Sequence, residues 1–256
     1  MTSSRKIYNF QTVIDRLENI SNDPNNIEIS HTCKTAAGTY PLIKIVLGQG
    51  NTRRALISAG IHGDEPGGVE TVVKFLQENR HSPYMDEWEI TLLPCINPYG
   101  YEFGTRENHQ GKDLNRLFKV ENPPLEVVFA QSIMETGFEL SIELHEDNES
   151  KGYYLYQKGV DKKHEGIGLK ILNSLKEIMP VNLDEEIDGS KADKGVIGKE
   201  LDLSAMEWWP MAFYSYSRGT QMCLTLEAAS CFELNARVDA HLSALNTALN
   251  HFHKGS

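Results

Sequence analysis

What this chain lacks narrows its function first. It has four cysteines, Cys33, Cys95, Cys223 and Cys231, and no C-x-x-C pair. They read as reduced, mostly buried thiols and as poor zinc ligands, so a disulfide scaffold is excluded. No apolar run approaches the ~18 residues of a membrane span. The opening Met1-Thr2-Ser3-Ser4-Arg5-Lys6-Ile7-Tyr8 lacks the apolar core of a secretory signal, so a cytoplasmic location is expected. Cationic excess is also missing. Lys and Arg number 25 against 36 Asp and Glu, leaving a formal net charge of −11. That balance argues against nucleic acid and against an anionic membrane as partner. Gly48-x-Gly50 has no third glycine and no helix after it, so it is a turn rather than a nucleotide loop. No repeat, low-complexity segment or linker appears, and composition is silent on oligomeric state. What remains is 256 residues, 40% hydrophobic, enough for one sizeable core and one domain over 1–256.

The stretch that organises the chain is Gly60-Ile61-His62-Gly63-Asp64-Glu65-Pro66-Gly67-Gly68. Ala55-Leu56-Ile57-Ser58-Ala59 before it reads as a buried strand, and Val69 to Leu76 after it has helical spacing, with Pro66 suited to the first turn. The turn therefore stands at the carboxyl end of a strand, where open α/β sheets place their ligands. Upstream, Phe10, Val13, Ile14, Leu17 and Ile20 form the stripe of a first helix, broken by Ser21 to Asn26. Ile27 to His31 alternates, Pro41 to Leu47 is a second strand, and Gly48 to Asn51 turns into the strand before His62. These segments suggest a hairpin leading into the sheet, so that residues 1–39 are a helix-and-strand extension.

Trp88 to Pro94 is the next strand, ending in Ile96 to Gly100, and the polar segment Phe103 to Phe118 is too long for a simple connector. A helix from Pro124 to about Glu135 is closed by Gly137. Phe138 to His145 alternates, with Leu140, Ile142 and Leu144 facing one way and Ser141, Glu143 and His145 the other. Tyr153 to Tyr156 is a short strand, and Ile167, Ile171, Leu175 and Ile178 mark a helix closed by Pro180. Residues 181–219 show little periodicity and suggest an irregular excursion over the site, with Trp208-Trp209 packing beneath it. Thr220 to Glu227 is a strand carrying Cys223, Thr225 and Glu227 on one face. Ser230 and Glu233 suggest a capping box for a last helix with Leu234, Val238, Leu242, Leu245 and Leu249 as its stripe. The fold class expected is α/β: a three-layer domain with a mixed, mostly parallel central sheet flanked by helices.

Four chemistry-bearing features follow strands in this reading. His62 and Glu65, three apart on one turn, can close on a single zinc ion, and His145 supplies a third ligand, leaving a position open for water. One zinc per chain is the cofactor this set implies. A carboxylate beside it can take the proton of an activated water, and Glu227 fits that role. Arg106 can stabilise a developing oxyanion, while Asn115 and Arg116 can grip a carboxylate. His31, His81, His109, His164, His241, His251 and His253 lack such context and read as surface or helix residues.

The ordered set resembles the zinc carboxypeptidase family, near its murein-peptide amidase branch and the succinylglutamate desuccinylase/aspartoacylase group. The matching residues are His62-x-x-Glu65, Arg106 with Asn115-Arg116 within Asp113 to Arg116, the strand-end His145, and Tyr214-Ser215-Tyr216 through Gly219 to Thr225-x-Glu227. The resemblance covers roughly residues 40–250. It implies a zinc carboxypeptidase-like fold and casts Asp113 as the residue that orients His62. The family's carboxypeptidases carry a substrate-binding tyrosine upstream of the catalytic Glu. Ala205 to Trp209 has none there, so Tyr214 or Tyr216 is the candidate, Tyr216 being taken as the substrate-binding one. The expected activity is zinc-dependent cleavage of a C-terminal amide bond in a peptide or murein peptide. An N-acyl amino acid deacylase is the alternative, and a non-catalytic peptide-binding relative the third reading. In either enzyme the partner is a small substrate with a free carboxylate.

Overall fold

The computed structural model describes residues 7–20, 27–160, 163–198 and 206–253. The helices among them are α1 (Phe10–Ile20), α2 (Pro66–Gln77), α3 (Pro98–Phe103), α4 (Leu125–Ile133), α5 (Ile167–Leu175), α6 (Met211–Ser217) and α7 (Leu234–His253). The strands are β1 (Ile27–Lys34), β2 (Thr39–Leu47), β3 (Arg53–Ala59), β4 (Trp88–Leu93), β5 (Leu140–Asp147), β6 (Tyr154–Gly159), β7 (Glu186–Ile187), β8 (Ser190–Lys191), β9 (Val196–Gly198) and β10 (Met222–Ala229). Eight of them build one sheet in the order β1-β2-β4-β3-β5-β10-β6-β9. The central strands β4, β3, β5 and β10 run parallel, and the hairpin strands β1 and β2 and the strand β6 pair antiparallel to their inner neighbours. Central parallel strands are buried on both faces and so are continuously apolar. In β3, Ala55 and Ile57 face one helical layer while Leu56 faces the other.

That alternation sorts the helices into two outer layers. On one face α1, α2, α5 and α7 pack through Val13, Val72, Ile171 and Leu245. On the other, α4 and α6 contribute Val127, Phe129, Ala130 and Met211. The expected three-layer α/β architecture with a mixed sheet is the one observed, and Leu140, Ile142 and Leu144 of β5 enter the first core as their alternation requires. No described helix is long and apolar enough to cross a membrane. Cys33, Cys95 and Cys223 are buried and Cys231 is exposed.

Several local readings change. The segment after β4 turns into α3 instead of continuing as strand end, because Asn97 accepts the Gly100 backbone N–H and Pro98 occupies the first helical turn. The expected hairpin is formed by β1 and β2, and it joins the sheet through β4. The region 181–219 is more ordered than its lack of periodicity suggests. It holds a two-residue hairpin (β7 and β8), the edge strand β9 paired parallel to β6, and α6, while 199–205 lies outside the described residues. Strands this short carry no readable period. The break over 21–26 also lies outside the described residues. Ile178 falls beyond α5 and is exposed. α7 begins at Leu234, so Ser230 precedes it, and its backbone N–H donates to the Asp147 carbonyl. His241 is fully buried on α7, where its Nδ1 lies 2.8 Å from the Tyr153 hydroxyl.

Candidate metal centre and active-site cavity

The turn between β3 and α2 is shaped by glycine at two points. Gly60 has φ of 62°, a left-handed conformation that side chains rarely adopt. Gly63 lies so close to the Gly100 backbone that a Cβ there would sit 1.9 Å from a carbonyl carbon. Between them His62 is driven inward. Glu65 occupies the residue before the first turn of α2 but makes no capping bond, which frees its carboxylate for other partners.

Those partners are imidazoles. His62 Nδ1 lies 2.6 Å from Glu65 Oε1, and His145 Nδ1 lies 2.9 Å from Glu65 Oε2. The Glu146 backbone N–H also donates to Oε2 at 3.1 Å. All three side chains are buried, and their ligating atoms lie within 4.8 Å of one another. The far ring nitrogens are held as well: His62 Nε2 is 3.2 Å from Asp113 Oδ1, and His145 Nε2 is 3.6 Å from Glu143 Oε2. Two imidazoles and a carboxylate converging in a dry site, each imidazole backed by an outer carboxylate, fit a divalent cation such as zinc. Burial opposes charge on Glu65, yet the neighbouring imidazoles hold its carboxyl well below the usual range. Asp113 is likewise held low against its burial, by His62, Arg106 and Arg116. His145 is pushed well above its ordinary value because Glu65, Glu143 and Glu227 outweigh burial.

Sheet register brings the remaining groups to this point. In the parallel pair of β5 and β10, Glu227 stands opposite His145 and Thr225 opposite Glu143. In the antiparallel pair with β6, Glu227 stands opposite Tyr154. Surrounding protein pushes the Glu227 carboxyl up to about 8, with His145 the main opposing influence, although its surface is only half-buried. Arg106 reaches in from the 104–113 loop, with Nε 3.1 Å from Asp113 Oδ2 and Nη1 3.5 Å from Glu65 Oε1. Asn97 anchors that loop by donating to the Arg106 carbonyl at 3.3 Å.

A cavity of about 670 Å³ opens above the cluster and is lined by His62, Glu65, His145, Arg106, Asn115, Arg116 and Glu227. These seven residues singled out from sequence therefore meet in one space, across elements more than a hundred residues apart. Two of them hold partners that sequence did not suggest. Asn115 is buried and its Oδ1 accepts the Met211 N–H at 2.8 Å, so that side chain also anchors α6. The Arg116 guanidinium lies 4.0 Å from the Trp208 ring centroid, which takes its π face, and its Nη1 donates to the Asn115 carbonyl at 3.2 Å, leaving its other in-plane N–H groups for a ligand. Tyr216 is not among the lining residues; its ring lies beneath Lys158 Nζ at 5.3 Å. The tyrosines on the cavity wall are Tyr154 and Tyr156, whose hydroxyls bond to Asp147 and Asp188. Period-two alternation from Tyr154 to Tyr156 was the available signal for a shared face.

Much of the rest of the lining is acidic. Asp147, Glu149, Asp184, Glu186 and Asp188 belong to it, and only Lys158 among the lining residues joins Arg106 and Arg116 as a basic group with a fixed charge. Glu146 accepts the Gly67 N–H at 2.7 Å and pairs with Arg237, tying α2 and α7 to β5 beside the site.

Residues 51–251 match the family model for the succinylglutamate desuccinylase/aspartoacylase catalytic domain. Murein peptide amidase A of Escherichia coli K12 is 37% identical over 82 residues, a stretch covering 32% of this chain and 32% of that relative. Among solved structures, a Shewanella denitrificans protein designated a metallopeptidase superposes with a TM-score of 0.79 at 20% identity, covering 95% of this chain and 90% of that one. A metallo-carboxypeptidase from Pseudomonas aeruginosa, solved with (2-guanidinoethylmercapto)succinic acid, gives 0.70 at 15% identity and covers 97% and 70%. At these identities the structural matches speak for the fold.

Proposed function

This chain belongs to the succinylglutamate desuccinylase/aspartoacylase catalytic-domain family, of zinc carboxypeptidase-like hydrolases, and we propose that it is a zinc-dependent peptidase acting on small peptides with a free C-terminal carboxylate, murein peptides among them. The observation that supports this reading is the mixed charge of the cavity, whose lining holds Arg106 and Arg116 together with the acidic groups Asp147, Glu149, Asp184, Glu186 and Asp188. A peptide offers both complements, a carboxylate for the arginines and an amine for the acids. An N-succinyl amino acid brings only anionic ends to an acid-rich space, which disfavours it on Coulombic grounds. The family's own name keeps acyl amino acids as the second reading.

His62, Glu65 and His145 would hold the metal, which supplies Lewis acidity and brings a water close to neutrality. Glu227, facing His145 across the strand pair, takes the proton from the attacking water. Its raised pKa suits a group that must both take that proton and return it to the departing amine; a neighbouring cation draws the value back down. Arg106 donates to the oxygen that gains charge as the carbonyl becomes tetrahedral. Arg116, braced on Trp208, binds the terminal carboxylate in its plane. Asp113 and Glu143 keep the imidazoles oriented throughout.

The test is a panel of matched substrates with the zinc-loaded protein. Free-carboxylate peptides should be cleaved and their C-terminal amides left intact, because the Arg116 contact is lost. Equal turnover of both forms overturns the carboxylate anchor. Turnover confined to N-succinyl or N-acetyl amino acids selects the deacylase reading.

A further inference from the structure

A second cluster of metal-ligating side chains lies outside the cavity, where β1, the 104–113 loop and α4 come together. Cys33 Sγ is 3.7 Å from His109 Nδ1 and 3.8 Å from Glu126 Oε1, and His109 Nδ1 is 3.7 Å from that same oxygen. The three donor atoms form a nearly equilateral triangle. A point equidistant from its corners lies about 2.2 Å from each, between the usual Zn–N and Zn–S bond lengths. As a hydrogen bond, the contact between His109 and Glu126 is slack, being well beyond the ordinary N–H···O range.

Glu126 adds an independent indication. It is 1% exposed, and its Oε2 has no hydrogen-bond partner among the described residues. Oε1 accepts from Asn108 Nδ2 at 3.1 Å, a neutral donor. A carboxylate withdrawn this far from water calls for a positive partner.

The geometry points to a divalent-cation site formed by Cys33, His109 and Glu126, of structural type and suited first to zinc. Thiolate, imidazole and carboxylate together favour a borderline tetrahedral ion over calcium or magnesium. Asn108, by donating to the Glu126 oxygen, orients that ligand. The last position falls to solvent, which reaches the partly exposed His109, or to Glu126 Oε2. On binding, the Cys33 thiol gives up its proton to solvent and ligates as thiolate. A thiol-nucleophile reading fits poorly, because Cys33 is buried on β1 and lies outside the cavity.

The consequence concerns the arginines. His109 and Asn108 sit in the loop that carries Arg106 on one side and Asp113, Asn115 and Arg116 on the other. A cation here pins that loop to β1 and α4, and so holds the groups that orient His62 and bind carboxylate. This inference is independent of the reaction proposed above.

The test uses the full chain, stripped with chelator and titrated with Zn²⁺ or Co²⁺ alone. About two zinc ions per chain are expected for the wild type and about one for His145→Ala. Cobalt at the new site should show a thiolate-to-metal charge-transfer band in the near ultraviolet. The band should persist in His145→Ala and in Cys223→Ser, whose thiol lines the cavity, and vanish in Cys33→Ser. If Cys33→Ser does not fold, the wild type and His145→Ala decide. Absence of the band from both overturns the inference, as does its loss in Cys223→Ser. One zinc per chain without the band overturns this site and leaves the central cluster standing.

Discussion

The two His–Glu clusters differ in what surrounds them. His62, Glu65 and His145 stand at the carboxyl ends of parallel strands, with ring nitrogens 2.6 and 2.9 Å from the shared carboxylate and the outer acids Asp113 and Glu143 behind them. Cys33, His109 and Glu126 meet at the edge hairpin, 3.7 to 3.8 Å apart, with Asn108 as outer partner, and none of the three lines the active-site cavity. Strand ends in the middle of a sheet converge several side chains on one open space, which suits chemistry. A junction of an edge strand, a loop and a helix encloses its donors, which suits fastening. In the roles proposed for them, similar ligands would serve different ends according to topology.

The largest effect that separates the two belongs to Glu227. Glu227→Gln should lose at least ~10²-fold in kcat while keeping its metal content, as loss of a general base does. In the wild type, raising the pH ionises Glu227, so kcat/KM should climb along the acidic limb; the variant should lack that limb. Steady-state kinetics across pH, with metal analysis of the same samples, check both. A variant with full turnover would move the base elsewhere.

Asp113→Asn should weaken zinc binding at the central cluster about 10- to 100-fold, the usual cost of losing an outer partner. The cobalt–thiolate band of the edge cluster should stay unchanged. Competitive chelator titration measures the first and absorbance the second, and equal effects at both clusters would mean that they are not separate sites.

Arg116→Ala should raise KM for free-carboxylate peptides roughly tenfold or more, from loss of a charge-assisted bond of about 1.5–3 kcal/mol. Cys33→Ala should raise KM in the same direction but less, if the edge cluster pins the loop. Initial-rate series on one peptide with both variants compare the two directly.

The smallest effect is expected on the acidic lining. Asp184→Asn should raise KM only a few-fold for peptides bearing an amine near the cleaved bond, the scale of about 0.2–1 kcal/mol for a solvent-exposed ion pair. The change should shrink in high salt. No difference between amine-bearing and N-acetylated peptides would remove the electrostatic role of that lining.

Much of this arrangement was legible along the chain because its signals are local. His62 and Glu65 share one turn, and the alternation of Ser141, Glu143 and His145, like that of Cys223, Thr225 and Glu227, assigns a face without knowledge of any neighbour. The Asn97-Pro98 pair that opens α3 was equally local, and the cap reads plainly in retrospect. Tyr216 was the reverse case: its candidacy rested on resemblance, and α6 carries it off the cavity to lie under Lys158. Cys33 and His109 carried no pattern of their own, and the partner each meets lies dozens of residues away.

From sequence alone came the α/β class, the turn that presents His62 and Glu65, and the faces of β5 and β10, because backbone periodicity and turn chemistry act over a few residues. The tertiary structure decided the strand order that sets Glu227 beside His145 and Tyr154, the seating of Arg116 on Trp208, and the meeting of Cys33, His109 and Glu126. In the edge cluster Cys33 lies 76 and 93 positions from its two partners, and Arg116 lies 92 from Trp208. Packing of whole layers selects such neighbours, and no local period encodes it.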